Sequence, residues 1–316
     1  MPLGGSSVNP VKILLKSHRT PRVSFFVSQG RIAAGSFGQV YAAVDVSTGK
    51  EVAVKRESET APSLHLQHEA EMYRLVSGRR GFANIYFYGR LEGTYNVLVL
   101  DRLGPSLNTL IFPPDGLPIR TVAYCACEMI DRLETVHGVG LTFRDVKPDQ
   151  FCLDAPLLMP HSPALPTLFL IDFGLSRPYR DAEGRHIPNR RAKKVVGRFG
   201  TARYASLSVH KGYEASRRDD LESLAYVLCE MALGILPWSG IRALTSQQGW
   251  RRIQELKEDT PTYELTATLP PQFGNFLDAT RDLGFAEAPD YARLRAPFQD
   301  LFMSLGAVGP LVWSAG

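Results

Sequence analysis

Cysteine, long apolar runs and net charge are all scarce in this chain, and each scarcity excludes a class of protein. The four cysteines among 316 residues include no C-x-x-C pair and no Cys/His cluster with zinc spacing. We therefore expect reduced, buried, small apolar thiols and a cytoplasmic location. No run of 18 apolar residues is present, so the sequence predicts no transmembrane helix and no membrane insertion.

Net charge gives little indication of a partner. The chain holds 36 Lys and Arg against 32 Asp and Glu. This mild excess does not indicate nucleic-acid binding by itself, and no nucleic-acid-binding motif is present, so we expect no direct nucleic-acid partner. Hydrophobic residues make up 44% of the chain, as in globular proteins, and 316 residues are enough for two lobes with buried cores. We expect a monomer.

Apolar patterning divides the chain into a β-rich part followed by a helical part. Strand-like segments at 39–46 and 51–56 flank the turn Ser47–Lys50 and predict a hairpin, and a further strand is expected at 95–100. The predicted organisation is a flexible basic leader at 1–22, a small β-rich lobe at 23–101, a larger helical lobe at 102–306 and a tail at 307–316. Helices are expected at 62–78, 118–138, 217–233, 270–283 and 290–304. The proline-rich stretch 155–166 predicts a loop between two short strands.

Two motifs of the β-rich part have both a functional and an ordinary interpretation. In Ala33-Ala-Gly35-Ser-Phe-Gly38 the glycines could present backbone N–H groups to a triphosphate, or form a plain hairpin turn. Lys55 ends the apolar segment Val52-Ala-Val and could extend its ammonium to solvent or reach phosphates. In the second case a helix carboxylate must hold it, and Glu69 and Glu71 are the candidates because their spacing places only one of them on the right face.

Two acidic motifs follow in the helical part. Asp145 stands in Phe143-Arg-Asp-Val-Lys147, and Asp172 follows an apolar run and precedes Phe-Gly174. A single Asp at a strand end is usually a turn or cap residue. Two of them, with Lys147 close to the first, favour a site in which one carboxylate accepts a hydroxyl proton and the other holds Mg²⁺ against phosphates.

These four motifs, in this order, resemble the protein kinase signature set. The chain is most similar to the casein kinase 1 group, in the segments Leu103–Leu107, Gly200–Ser206, Ser216–Leu224, Leu236–Trp238 and Pro289–Tyr291. The segment Val196-Gly-Arg-Phe-Gly-Thr201 is similar to the corresponding segment of the tau-tubulin kinases. The resemblance implies an α+β, two-lobed kinase fold and a non-specific serine/threonine protein kinase that uses ATP and Mg²⁺.

The resemblance also implies roles for individual residues. Asp145 is the catalytic base, Lys147 steadies the transferred phosphate, and Lys55 pairs with Glu69. Asp172 and Gln150 hold the metal. The residues implied to contact ATP are Ile32, Gly35, Ser36, Phe37, Gly38, Val40, Ala53, Lys55, Leu100, Asp101 and Leu103, with Leu100 as gatekeeper and the backbones of Asp101 and Leu103 on the adenine edge. Asp220 is implied to hold the catalytic-loop backbone.

Three residues depart from the kinase pattern and keep a second hypothesis open. Ala33 replaces a loop glycine, Phe143 replaces a His, and Gln150 replaces the Asn that binds a second Mg²⁺. Because Mg²⁺ geometry is strict, the longer Gln150 side chain is the change that could weaken catalysis. The alternative is a pseudokinase that binds or scaffolds with weak or no turnover.

A basic stretch supplies the expectation about substrates. From Arg177 to Arg203 there are nine Lys and Arg against two acidic residues, Asp181 and Glu183. This stretch could be a solvated loop, or a nuclear localisation signal at 190–194 that would add a nuclear location. Its place in a kinase activation segment favours acidic or phosphorylated protein substrates. By resemblance, Arg203 and Arg242 form the substrate anion site.

Overall fold

The computed structural model describes residues 12–16, 23–35, 38–60, 65–91, 95–110, 116–154, 165–190, 199–306 and 311–313. The chain divides into two compact units, Met1–Leu103 and Gly104–Gly316. The first contains a β-sheet and one helix, and the second is largely helical. The α+β class predicted from the sequence is confirmed.

The first unit is built on an antiparallel sheet. Its elements are β1 (Lys12–Lys16), β2 (Val23–Gly35), β3 (Gly38–Asp45), β4 (Glu51–Ser58), α1 (Leu66–Val76), β5 (Ile85–Leu91) and β6 (Tyr95–Asp101). The order β2-β3-β4-β6-β5 is closed by β1, which pairs with both β2 and β5. Residues 12–16 were expected in a flexible leader, and they form this strand instead because each outer strand offers unpaired backbone groups.

Alternation along β4 gives its two faces different tasks. Val52 and Val54 lie in an apolar cluster with residues of β3, β5 and β6. Ala53, Lys55 and Glu57 occupy the opposite face, since successive side chains of a strand alternate. Lys55 and Glu57 are nevertheless buried, which places two charged groups on one dry face.

The second unit is organised around one central helix. Its helices are α2 (Ile119–Gly138), α3 (Leu207–His210), α4 (Arg217–Leu233), α5 (Ser246–Asp259), α6 (Thr262–Leu265), α7 (Pro271–Asp282) and α8 (Tyr291–Ser304). Its short strands are β7 (Leu141–Thr142), β8 (Phe151–Leu153), β9 (Leu168–Leu170) and β10 (Arg177–Pro178). Helix α4 is buried on nearly all sides and packs against α2 and α7. None of the helices in the described part of the chain has the length and apolarity needed to cross a bilayer.

Most predicted elements are confirmed, with three corrections. The predicted hairpin is formed by β3 and β4, and β8 pairs with β9 as the two short strands; residues 155–164 between them lie outside the described residues. The helix expected from residue 62 begins at Leu66. Helix α5 was not predicted, because it has no buried apolar stripe: its single buried side chain is that of Lys257. Cys127 is half-buried, unlike the other three thiols.

Candidate active site

The glycine-rich segment forms the connection between β2 and β3. Gly35 pairs with Gly38, and Ser36 and Phe37 lie outside the described residues. Gly38 has φ of 125°, and a Cβ there would lie 2.3 Å from the backbone oxygen of Arg56. Only glycine fits this position, so the close approach of β3 to β4 requires Gly38 whether or not a phosphate binds.

Lys55 forms a buried ion pair with α1. Its Nζ lies 2.6 Å from Glu69 Oε2, and the Glu69 side chain is 1% exposed. Glu71, the other candidate, is exposed and accepts a hydrogen bond from Gln67 Nε2. The structure thus selects Glu69, in agreement with the resemblance.

Glu57 fixes the helix that carries Glu69, and sequence analysis missed it. Its carboxylate accepts hydrogen bonds from the backbone N–H groups of His65, at 2.7 Å, and Leu66, at 3.3 Å. A negative charge at a helix N-terminus satisfies free donors and interacts favourably with the helix dipole. The signal was available, because Glu57 stands two residues after Lys55 and a strand places both on one face.

The end of β6 carries the residues implied to bind adenine. Leu100 is 8% exposed. The N–H of Asp101 donates to the Asn84 carbonyl at 3.2 Å, while its carboxylate accepts from the Asn84 N–H and pairs with Lys50. Burial acts to raise the pKa of Asp101, but hydrogen bonds from Tyr86, Asn84 and Lys50 hold it below its usual value. The side chain of Asp101 is therefore occupied by its own unit.

Asp145 lies in a dense polar group of the second unit. It is 6% exposed, and its Oδ2 accepts from Lys147 Nζ at 2.6 Å. Its Oδ1 accepts from the Thr201 hydroxyl at 2.9 Å. Burial raises the pKa of Asp145, and Lys147 and Thr201 partly oppose this effect. Thr201 was not named as a site residue from sequence, although it stands in the Gly200–Ser206 segment.

The backbone before Asp145 is held by Asp220 at the start of α4. Its two carboxylate oxygens accept from the N–H groups of Phe143 and Arg144, each at 2.7 Å, and Oδ2 also contacts His137 Nε2 at 2.9 Å. The implied role of Asp220 is therefore observed. Phe143 fills its position as an aromatic residue, fully buried with its ring edge-on to Phe173 at 5.4 Å.

Asp172 follows β9 with a left-handed backbone, at φ of 67°. Gln150 Nε2 donates to Asp172 Oδ2 at 3.2 Å and lies 3.4 Å from Asp145 Oδ2. The backbone supports this arrangement, since the N–H of Ile171 donates to the Gln150 carbonyl at 2.9 Å. The structure thus brings Asp145, Gln150 and Asp172 together.

The oxygen donors of Asp172 and Gln150 fit a hard divalent cation that takes its other ligands from phosphates and water. Mg²⁺ prefers oxygen ligands and is commonly held by one or two carboxylates, water and substrate phosphates. Asp172 offers a carboxylate, and Gln150 would offer its amide oxygen after rotation of the amide. The described residues contain no cluster of three or more His, Cys, Asp or Glu suited to a metal, so the remaining ligands would come from phosphates and water.

The two arginines of the expected anion site, Arg203 and Arg242, have different partners in the structure. Arg203 Nη1 lies 3.0 Å from Glu230 Oε1, so its guanidinium already has a carboxylate partner. Arg242 accepts at its backbone oxygen from Arg252 Nη1, at 2.6 Å. The guanidinium of Arg203 therefore has a carboxylate partner, whereas the contact of Arg242 is between its backbone oxygen and the guanidinium of Arg252.

In the basic stretch, the two acidic residues are already occupied. Arg185 pairs with both Asp181 and Glu183, each at 2.9 Å. Arg191, Lys193, Lys194 and Arg198 lie outside the described residues. The positive charges of Arg177, Arg180 and Arg190 are thus not offset by the acids that the sequence places near them.

Comparison with known families agrees with this geometry. The family model described as "Protein kinase domain" matches residues 26–283, well over half of the chain. The matched range contains the Lys55–Glu69 pair, the group formed by Asp145, Lys147 and Gln150, and Asp172. The chain belongs to the protein kinase domain family.

Proposed function

We propose that this protein is a serine/threonine kinase of the casein kinase 1 group that transfers the γ-phosphoryl group of ATP to acidic or phospho-primed proteins. Family membership supports a protein kinase activity that uses ATP and a divalent metal. The observation that carries the proposal of turnover is the buried Asp145 carboxylate, with Lys147 Nζ 2.6 Å from it. Asp220 holds the backbone immediately before this carboxylate.

In the first unit, the proposed task is to hold the nucleotide. Glu69 fixes the Lys55 ammonium, which would bind the α- and β-phosphates. Gly35 and Gly38 would cover the phosphates. The adenine would lie against Ile32, Val40, Ala53 and Leu100. Since the Asp101 N–H is already used, its contribution would be its carbonyl oxygen, with the Leu103 backbone beside it.

The proposed task of the second unit is to activate the substrate hydroxyl and to stabilise the charge on the transferred phosphoryl group. Asp145 would orient the substrate hydroxyl and accept its proton at a carboxylate oxygen. An ionised carboxylate has about four acceptor sites, so the bonds from Lys147 and Thr201 leave room for this hydroxyl. Lys147 would then stabilise the charge on the transferred phosphoryl group. Asp172 and Gln150 would hold Mg²⁺, which neutralises phosphate charge when bound.

The raised pKa of Asp145 supports its role as an acceptor. Burial makes its ionised form less stable than in water, so it is a stronger base than an exposed aspartate. The positive charge of Lys147 and its hydrogen bond oppose this effect and favour the ionised carboxylate, the form that accepts a proton.

The proposed substrate class rests on the basic stretch and on Arg242. A phosphorylated residue on a substrate would meet charge-assisted hydrogen bonds here. Each such bond is worth about 1.5–3 kcal/mol, or about tenfold or more in kcat/KM. Because Glu230 already pairs with Arg203, we expect Arg242 to contribute more than Arg203.

Kinetics on a matched peptide pair, primed and unprimed, test this substrate class. Replacing Arg203 and Arg242 together by Ala should remove most of the preference for the primed peptide and leave the unprimed rate nearly unchanged. Arg242→Ala alone should reduce the preference more than Arg203→Ala. Arg185→Ala is the control: like Arg203→Ala, it removes one positive charge from the stretch 177–203, but the preference for the primed peptide should remain. An unaltered ratio in the double variant would refute the anion site, and phosphoamino-acid analysis of the product decides Ser/Thr specificity.

One observation favours the alternative of a kinase fold without turnover. Gln150 presents its amide nitrogen to both Asp145 and Asp172, as a donor that competes with a cation for the same oxygens. If the protein is a binding module, we expect it to bind nucleotide or peptide without transferring a phosphoryl group. Measuring ATP binding and ³²P transfer on the same protein sample separates the two functions.

A further inference from the structure

The end of the activation segment stacks on the catalytic loop. The guanidinium carbon of Arg144, the residue before Asp145, lies 3.5 Å from the ring centroid of Phe199. A cation this close to an aromatic face is attracted by the ring quadrupole. Arg144 Nη1 also donates to the Leu175 carbonyl at 3.2 Å. Its Nε is buried and has no hydrogen-bond partner among the described residues.

Arg144 is an unusual residue in its own right. Its backbone has φ of 75°, in the left-handed region that non-glycine residues rarely adopt. Burial, together with repulsion from Arg177, lowers the pKa of its guanidinium to about 10. The side chain is still charged at neutral pH, and the Phe199 face is a partner suited to a poorly hydrated guanidinium.

The two residues after Phe199 continue the contact toward the base. Gly200 has φ of 75°, and a Cβ there would lie 2.6 Å from the Arg144 carbonyl oxygen and 3.2 Å from Asp145 Oδ1. Thr201 donates its hydroxyl to Asp145 Oδ1 at 2.9 Å. Three consecutive residues therefore contact Arg144 and Asp145, and the ring begins that series.

Phe199 is also anchored on the helical side. It packs, together with Trp250, against a small buried cluster. That cluster consists of Ala205, Val209 and Ala215. The ring thus links the apolar interior of the second unit to the guanidinium of the catalytic loop.

The activation segment contains no hydroxyl that could supply a phosphate near this position. No Ser, Thr or Tyr occurs from residue 180 to residue 200. The flanking hydroxyls are bonded: Ser176 to the Phe143 carbonyl, Tyr179 to the His137 carbonyl, Thr201 to Asp145 and Tyr204 to Glu230. In kinases whose activation loop is ordered by phosphorylation, new Arg–phosphate pairs do the ordering.

We propose that Phe199 is a positioning residue of the catalytic loop, and that its ring on Arg144 orders the loop without any phosphate on the activation segment. This inference rests on the proposed kinase function for its kinetic consequence. The structural part, order in the loop that depends on an aromatic ring at position 199, stands independently of turnover.

Two variants of Phe199, one control variant and one double variant distinguish the effect of the ring face from that of apolar packing alone. Phe199→Leu keeps an apolar side chain but removes the ring face, and kcat should fall about tenfold while the KM for ATP stays within about twofold. Phe199→Tyr keeps the face and should restore most of the rate. Tyr263→Leu removes an exposed ring elsewhere in the unit and should leave the rate unchanged. In an Arg144→Met background, Phe199→Leu should cause no further loss.

Phosphatase treatment and amide hydrogen exchange test the role of Phe199 independently of the variant kinetics. Phosphatase treatment of the wild-type protein should leave kcat unchanged. Amide hydrogen exchange should quicken in the peptides covering 141–150 and 199–206 in Phe199→Leu, but not in Phe199→Tyr, and this readout needs no turnover.

The outcomes are distinct for the two claims. A wild-type protein that transfers no phosphate would contradict the proposed function, and hydrogen exchange would then decide the inference alone. Equal exchange and equal rates in wild type and Phe199→Leu would overturn the inference, as would a Tyr variant as impaired as the Leu variant, or inactivation by phosphatase.

Discussion

Replacing Asp220 by Asn should loosen the catalytic loop, and the structure allows the size of the effect to be worked out. The carboxylate accepts three hydrogen bonds, from the N–H groups of Phe143 and Arg144 and from His137 Nε2. An amide keeps one oxygen acceptor and presents an NH₂ group in place of the other. Whichever way the amide turns, a donor faces a donor.

The cost has two parts. A buried backbone N–H left without a partner costs about 1–3 kcal/mol. The surviving bonds lose their charge assistance, at about 1 kcal/mol each, since bonds to charged groups are worth about 1.5–3 and neutral ones about 0.5–1.5. Removing a buried charge offsets a part of this cost. We therefore expect a loss of about 2–4 kcal/mol, or roughly 5–10 °C in Tm.

Activity should fall by more than stability explains. A displacement of about 1 Å in the group next to the reacting atoms can cost about 100-fold in rate. The hydrogen bonds of Asp220 all join residues of the second unit, and none involves a residue proposed to contact ATP. We therefore expect kcat to fall about 10- to 100-fold at a nearly constant KM for ATP.

Thermal unfolding and steady-state kinetics of Asp220→Asn check this reasoning. Asp300→Asn, an exposed residue of α8, is the matched control, and its unfolding free energy should change by less than about 0.5 kcal/mol. A Tm for Asp220→Asn equal to that of the control would refute the hydrogen-bond accounting. A normal kcat with a lowered Tm would refute the link from the loop backbone to Asp145.

Three further predictions concern the other polar groups. Glu69→Gln should raise the KM for ATP about tenfold or more because Lys55 loses its buried partner, while Glu71→Gln should not; equal values would contradict the pairing. Gln150→Asn should keep or raise kcat and lower the Mg²⁺ concentration needed for half-maximal rate; a large loss would mean that the loop is adapted to Gln. Burial raises the pKa of Asp219 to about 6, so its contribution to stability is full below the ordinary aspartate pKa and is lost as pH rises through about 6. As pH falls from about 7 to about 5, the Tm of the wild type should therefore rise relative to that of Asp219→Asn. A Tm difference that does not change with pH would contradict the shift.

Regular elements with an apolar pattern could be predicted closely from the sequence. Helix α4 begins after Ser216 and ends before Gly234, where a capping residue and a glycine mark the limits. Helix α5 carries no such pattern, because the residue it buries is Lys257, whose Nζ donates to the Ala202 and Ala205 carbonyls. A buried lysine that donates to backbone oxygens leaves no periodic apolar pattern in the sequence.

The candidate site was predictable in its residue types but not in its pairings. Motif order and spacing indicated Asp145 and Asp172, and strand and helix periodicity narrowed the partner of Lys55 to two acids. The family resemblance chose Glu69 of the two, whereas periodicity alone could not, because the difference between them is burial, which depends on packing. The Arg203–Glu230 pair joins residues 27 positions apart that only the tertiary fold brings together. The same holds for Phe199 on Arg144, since no local pattern links a ring to a guanidinium 55 residues earlier.

Phosphoryl transfer from ³²P-labelled ATP to casein, measured for the wild type and for Asp145→Asn and Asp172→Asn, tests the central claim most directly. The account predicts transfer by the wild type and a loss of about 1,000-fold or more in both variants, since the base and the metal-holding carboxylate cannot be replaced by an amide. The Tm of each variant should lie close to that of the wild type, which separates lost chemistry from lost folding. Equal transfer by all three proteins, or none by a folded wild type that binds ATP, would contradict it.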